Sequence, residues 1–211
     1  MASYRSTFFS ILLSFSLVMS TLHTAIAASS SSSSSSSIST KTLNTYKIFI
    51  KGYCSSTTYP KNCYKFLSPY ASVIKTSPLI LTRASIYIAL KETSKSSYAL
   101  KSLSKVKDLT HNETLVMKDC LENVYSSLYR VKQSAMSVKG LNGGDKSGDE
   151  AFEWSNIKTW MSAAITGYTT CTDGFGEKIV RASLQKTISS RVTKAKDLVS
   201  NALSVVNKFT Y

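Results

Sequence analysis

What this chain has little of narrows its possible chemistry. Its 211 residues include two histidines, and His23 falls in a leader treated below, so His111 alone remains for the folded part. No Cys-x-x-Cys pair occurs. A structural zinc needs four nitrogen or sulfur ligands, so a metal site has poor support. No nucleophile elbow, phosphate loop or metal-ligand cluster is visible. Asp119 and Glu122 share a helix face, but paired surface acids are common and do not by themselves make an acid–base site. Neither a catalytic residue nor a cofactor is expected. Proline is scarce too: Pro60, Pro69 and Pro78 are the only three, and residues 79–211 contain none. Interior proline breaks helices, so its absence permits long ones.

No apolar run reaches the roughly 20 residues of a membrane span. The run from Phe8 to Met19 is preceded by Arg5 and followed by Ala25-Ile26-Ala27-Ala28. Charged, apolar, then small is the order of a cleavable signal peptide, expected over residues 1–27. Ser29 to Ser37 are all serine. Such a tract gains nothing by ordering, so residues 28–41 read as a flexible leader. One folded domain is expected over 42–211.

Acidic residues are outnumbered, 12 against 26 Lys and Arg. Losing Arg5 with the signal peptide leaves 25 basic residues and a net +13. On charge alone, nucleic acid, an anionic membrane or an acidic polysaccharide could be partners. Export argues against nucleic acid, and no membrane partner is expected. The basic residues are spread along the chain, which fits a solvated cationic surface in an acidic matrix.

Apolar spacing assigns the fold class as all-α. Met117, Leu121, Val124, Leu128, Val131, Ala135 and Val138 alternate steps of four and three, one seam of a helix. Thr110 and Glu113 have capping-box spacing at its start, and Lys139-Gly140 give a basic last turn and a stop. Ile157, Met161, Ala164, Tyr168, Cys171 and Phe175 form a second seam, with Glu150 and Glu153 near its start and Gly174 and Gly176 at its end. Leu184, Ile188, Val192, Ala195, Val199, Ala202, Val206 and Phe209 form a third. An earlier helix starts at Ser77-Pro78, with a less regular seam: Leu81, Ala84, Ile88, then Ala99, Leu103, Val106. Four such helices make an antiparallel up-down-up-down bundle over 77–211. Residues 42–76 are broken by Gly52, Pro60 and Pro69, and read as a short helical hairpin before the bundle.

Cys54, Cys63, Cys120 and Cys171 allow three pairings, and an even count in an exported chain reads as two disulfides. Cys171 lies on a core seam, and Cys120 lies one turn from Met117 and Val124. Pairing them ties the second bundle helix to the third, and leaves Cys54 with Cys63 to staple the hairpin.

Lys118-Asp119-Cys120, Thr159-Trp160-Met161-Ser162-Ala163-Ala164 and Thr170-Cys171-Thr172-Asp173-Gly174-Phe175 resemble segments of the plant invertase/pectin methylesterase inhibitor family. Cys54 to Cys63, with Tyr59-Pro60 between, is similar to that family's first disulfide. The resemblance covers the chain after the serine tract. It implies a bundle preceded by a hairpin, the two disulfides assigned above, and a secreted inhibitor of pectin methylesterase that covers the enzyme's cleft. Invertase inhibitors of the family carry Pro-Lys-Phe early in the third bundle helix. Asp149-Glu150-Ala151-Phe152-Glu153-Trp154 has neither proline nor lysine there, which favours the esterase branch. Acid invertase stays as the alternative target. A second alternative is a structural module holding acidic pectin weakly by charge.

The resemblance further implies that the middle bundle helices face the esterase. Thr159 and Ser162, with Lys118 and Glu122, are the expected contacts. Trp160 reads as packed, Trp154 as either packed or exposed. Tyr87, Tyr98, Tyr125, Tyr129 and Tyr168 fall on expected helices and read as packing the bundle or its margin. Asn112-Glu113-Thr114 is an N-glycosylation sequon in an exported chain.

Overall fold

The computed structural model describes residues 39–143, 148–175 and 180–208. The expected signal peptide, the serine tract, Gly176 and Phe209 lie outside that range. The elements are α1 (Thr40–Cys54), α2 (Pro60–Leu67), a 3-10 turn (Ser68–Tyr70), α3 (Ala71–Ile74), α4 (Pro78–Leu103), α5 (His111–Gly140), α6 (Gly148–Asp173) and α7 (Ala182–Lys208). Among the described residues there is no strand. In the bundle, α5 packs on α4 and α6, and α7 packs on the same two helices from the other side.

Each bundle helix starts where local chemistry satisfies its free N–H groups. Ser77 Oγ accepts from the Ile80 N–H at 3.3 Å, and Pro78 occupies the first helical position. At α5, Thr110 Oγ1 accepts from the Glu113 N–H while Glu113 accepts from the Thr110 N–H, a reciprocal capping box.

The seams hold with two corrections. On α5, Met117, Val124, Val131, Ala135 and Val138 are buried, but Leu121 and Leu128 are only half-buried. Cys120, Ser127 and Ser134 take the inner positions between them. On α4, Leu81 is buried, whereas Ala84, Ile88, Ala99 and Leu103 are half-buried and Val106 lies past the helix end, exposed. The inner face of α4 instead mixes Ile86, Ala89 and Leu100 with Thr82, Ser85, Glu92, Thr93, Ser96 and Ser97. Small hydroxyls are tolerated there because several bond back into their own helix: Thr93 Oγ1 donates to the Ala89 carbonyl and Thr82 Oγ1 to the Pro78 carbonyl, each at 2.8 Å. An apolar pattern search passes over such a face.

Residues 42–76 do form a hairpin, but Gly52 lies inside α1 and does not break it. The chain turns at residues 55–59, and Cys54 bonds to Cys63 across that turn. The hairpin sits on its own bundle. Ile50, Cys54, Cys63, Leu67, Ala71 and Ile74 cluster with Leu81 of α4 and Val205 of α7. Asn201 of α7 pairs with the Tyr59 backbone in both directions, accepting at 2.8 Å and donating at 3.0 Å. Lys208 Nζ donates to the Tyr53 carbonyl at 2.6 Å.

At the opposite end, Arg181 ties α7 to the start of α5. Its Nε donates to Glu113 Oε1 at 2.8 Å, and its Nη1 to Asp108 Oδ2 at 2.7 Å. The Arg181 hydrogen bonds, then that from the Thr110 N–H, hold the Glu113 carboxyl down at about 2. Glu113 thus caps a helix and anchors an arginine together; its spacing from Thr110 signalled only the first role.

Candidate functional site

The face that carries the expected contacts is built by α5 and α6, and these two helices are held unusually close. Cys120 bonds to Cys171 with their Cα atoms 4.2 Å apart. Further along, Ser127 Oγ donates to the Ala164 carbonyl at 2.9 Å. A Cβ on Gly167 would lie 2.4 Å from that Ser127 Oγ and 3.1 Å from the Asn123 carbonyl oxygen. Only glycine leaves room for this approach. Beyond it, Ser137 donates to Glu153, and Glu150 accepts from the Gly143 N–H at 2.7 Å. A covalent bond, a small-residue contact and polar ties at the far end therefore fix two antiparallel helices as one plate.

All four expected contacts are exposed on this plate. They do not converge on one point. The Cys120–Cys171 and Ser127–Ala164 pairs set the register. In that register Lys118 and Glu122 lie near the disulfide end, level with Asp173 and Thr169. Thr159 and Ser162 lie nearer the middle, level with Lys132 and Tyr129. The outward strip of α6 is rich in small and hydroxyl side chains: Ser155, Thr159, Ser162, Ala163, Thr166 and Thr170 are exposed. Thr159 Oγ1 and Thr166 Oγ1 donate to carbonyls one turn back, at 3.0 and 3.3 Å, so their methyl groups stand on the surface in a fixed pose.

Large apolar side chains lie beside them. Leu115, Glu122, Tyr129 and Met136 follow at seven-residue steps and share one outer ridge of α5. Tyr129 is 60 % exposed, Met136 63 %, and Phe152 at the start of α6 is 65 % exposed. Tyr125 is also exposed. The expectation that the helix tyrosines pack the bundle or its margin holds for Tyr168, which is fully buried, and for Tyr87 and Tyr125 at the margin, where the Tyr87 hydroxyl donates to the Ala135 carbonyl at 3.3 Å, and fails for Tyr98 and Tyr129, which are mostly exposed. On α5 the signal was present for Tyr129, which lies well round the helix from the Met117–Val138 seam. Of the tryptophans, Trp154 is fully buried and Trp160 half-buried.

No group of three or more His, Cys, Asp or Glu side chains able to hold a metal occurs among the described residues. Nor, among them, is any helix long and apolar enough to cross a membrane. His111 and Asn112 are exposed in the first turn of α5.

Residues 48–205 match the model of the plant invertase/pectin methylesterase inhibitor family. The chain belongs to that family. It is 38% identical over 161 residues to a 21 kDa protein of Daucus carota, covering 76% of this chain and 83% of that one. It is 31% identical over 197 residues to pectinesterase inhibitor 11 of Arabidopsis thaliana, covering 92% and 95%. A crystal structure of a mutant pectin methylesterase inhibitor from Arabidopsis superposes with a TM-score of 0.60 over 76% of this chain and 97% of that one, at 16% identity, and so shares the fold. Family members of this kind are inhibitors and not enzymes. At the start of α6, Glu150 and Trp154 are buried and Phe152 is exposed.

Proposed function

We propose that this protein is secreted and inhibits pectin methylesterase, by docking the outer α5–α6 face over the enzyme's substrate cleft in a one-to-one complex. Residues 1–27 are the signal peptide that exports it and 28–41 the serine-rich leader. The site of action is the cell wall. The observation that carries the reading is the locked plate. An inhibitor of this kind needs no reacting group; it needs a surface whose side chains are already ordered, so that little entropy is lost on docking. Tyr129, Met136 and Phe152 provide apolar contact area, with Thr159, Ser162, Lys118 and Glu122 between and around them. Aromatic anchors of this sort carry most of the energy in many protein interfaces. Asn112, in the first turn of α5, is the proposed glycosylation point.

Acid invertase is the second reading, because the family includes inhibitors of both enzymes. The absence of proline and lysine from Asp149–Trp154 weighs against it. Titration of the oxidised, secreted protein into a plant pectin methylesterase and an acid invertase separates the two. Stoichiometric loss of esterase activity with invertase untouched is expected. Loss of invertase activity alone would move the target. No effect on either enzyme, with salt-sensitive retention on pectin, would leave the charge-held structural module.

A further inference from the structure

Basic residues that are scattered in the sequence are gathered on one side of the fold. No Asp or Glu precedes Glu92, so α1 to α3 carry lysines and no acid at all. Helix α4 carries Arg83, Lys91, Lys95 and Lys101 against Glu92 alone. Helix α7 carries Lys186, Arg191, Lys194, Lys196 and Lys208 against Asp197 alone. The other two bundle helices are near balance or acidic. Helix α5 has four basic residues to three acidic, and α6 has only Lys158 against Asp149, Glu150, Glu153 and Asp173. Both helices of the basic pair contact each other, so their charge forms one face, and the hairpin that packs on them adds to it.

A groove of about 830 Å³ runs along this face, between the second half of α4 and the start of α7. Its volume is that of an ordinary small-molecule cleft. Tyr98, 76 % exposed, stands in it. Lys95 lines the α4 wall and Arg191 the α7 wall. The Lys95 side chain is 58% exposed and only 3.8 Å from Glu92, whose closer partner is Lys194 at 2.8 Å. Arg191 has no ion pair among the described residues. Ser94, Ser102 and Thr187 add hydroxyls, and Ala99, Leu103 and Val106 add apolar surface beside Tyr98.

We propose that the α4–α7 groove is a second binding site, for a carboxylated polysaccharide, on the side of the bundle away from the α5–α6 face. A pyranose ring has an apolar C–H face that suits an exposed tyrosine, and an equatorial rim of hydroxyls that suits serine and threonine. Carboxylates repeated along the polymer meet the two cationic walls, and the wider basic face supplies longer-range attraction. A lipid surface is a poorer match, because among the residues lining the groove only Tyr98 and Val106 are large apolar side chains that stand exposed. The site does not depend on the inhibitor reading, and an inhibitor so equipped would be held on the wall polymer with its other face free.

The test is calorimetric titration of the oxidised, secreted protein with hexagalacturonate at low salt, alongside maltohexaose and a single-stranded oligonucleotide of equal charge. Hexagalacturonate should bind and maltohexaose should not. Tyr98→Ala should weaken binding about tenfold and Tyr98→Phe should restore it. Combined Lys95→Glu and Arg191→Glu should abolish it, while Lys118→Glu on the far face leaves it intact. All these positions are exposed, and unchanged melting temperatures would show that the variants fold. Wild-type affinity in Tyr98→Ala or in the double reversal would overturn the proposal, as would an oligonucleotide that binds at least as tightly. No esterase enters this assay, so its outcome is separate from the fate of the inhibitor reading.

Discussion

The α5–α6 pair and the α4–α7 pair are opposite sides of one bundle, built by different means. The first has a disulfide, a glycine against a serine, and a near-neutral outer surface. The second has a core face full of hydroxyls, a Glu92–Lys194 ion pair at 2.8 Å, and an open, cationic groove. Close approach needs small side chains and tolerates no substitution at the contact. A polar, looser seam leaves space between helices that water or a ligand can fill. The rigid side is suited to covering another protein, and the grooved side to holding a charged chain.

Perturbations of the first pair should therefore cost more than those of the second or of the hairpin. Converting Cys120 and Cys171 together to serine opens a loop with a sequence separation of 51. The loss expected in urea melts is about 4 kcal/mol by loop-closure entropy. The same change at Cys54 and Cys63, separated by 9 residues, should cost nearer to 2.5 kcal/mol. Equal losses would break the distinction between plate and hairpin. Next in size is Gly167→Val, which drives a side chain into Ser127 and the Asn123 carbonyl, at about 3 kcal/mol of overpacking. Ser102→Val in the open groove should change stability by less than about 0.5 kcal/mol.

Two smaller effects sharpen the account. Tyr129→Ala should leave the melting temperature unchanged and weaken esterase inhibition about tenfold, while Thr159→Ala should weaken it less. Glu113 links the two sides through Arg181, and acid should loosen that link. Its folded carboxyl sits at about 2 against an ordinary 4.5. The stabilisation is complete above the ordinary value and is lost as pH falls from there through about 2. Glu113→Gln should melt below the wild type at pH 6, and the gap should narrow steadily below pH 4.5 and close only below about pH 2. A gap that persists at low pH would mean that the charge is not what holds this joint.

Legibility followed the same division. On α6 and α7, buried positions are almost all apolar, and periodicity alone found Ile157, Met161, Ala164, Leu184, Ile188 and Val192. On α4 the inner face is Thr, Ser and Glu, so the search drifted to Ala84, Ile88 and Val106, which are not buried. On α5 the apolar pattern takes Leu121 and Leu128 for core and passes over Ser127, while Cys120 reads as inward from its place one turn from Met117 and Val124. Thr159, Ser162, Lys118 and Glu122 were readable as exposed because the buried seams beside them were clear. Tyr129 reads as packing by residue type and not by its angle around the helix, and no motif marks Met136 or Phe152. The Arg181–Glu113 bond joins residues 68 apart, and no local pattern reports a pairing at that range.

Added bulk on one face or the other puts the division of labour to a direct test. Ser162→Trp places an indole on the outer α6 surface, and Ser94→Trp places one beside the α4 groove; both serines are exposed. Each variant is titrated into pectin methylesterase beside the wild type. Ser162→Trp should raise the concentration for half-inhibition about a hundredfold, near 2.7 kcal/mol, with Ser94→Trp indistinguishable from wild type. Full potency in Ser162→Trp, or equal loss in both, would contradict an α5–α6 blocking face.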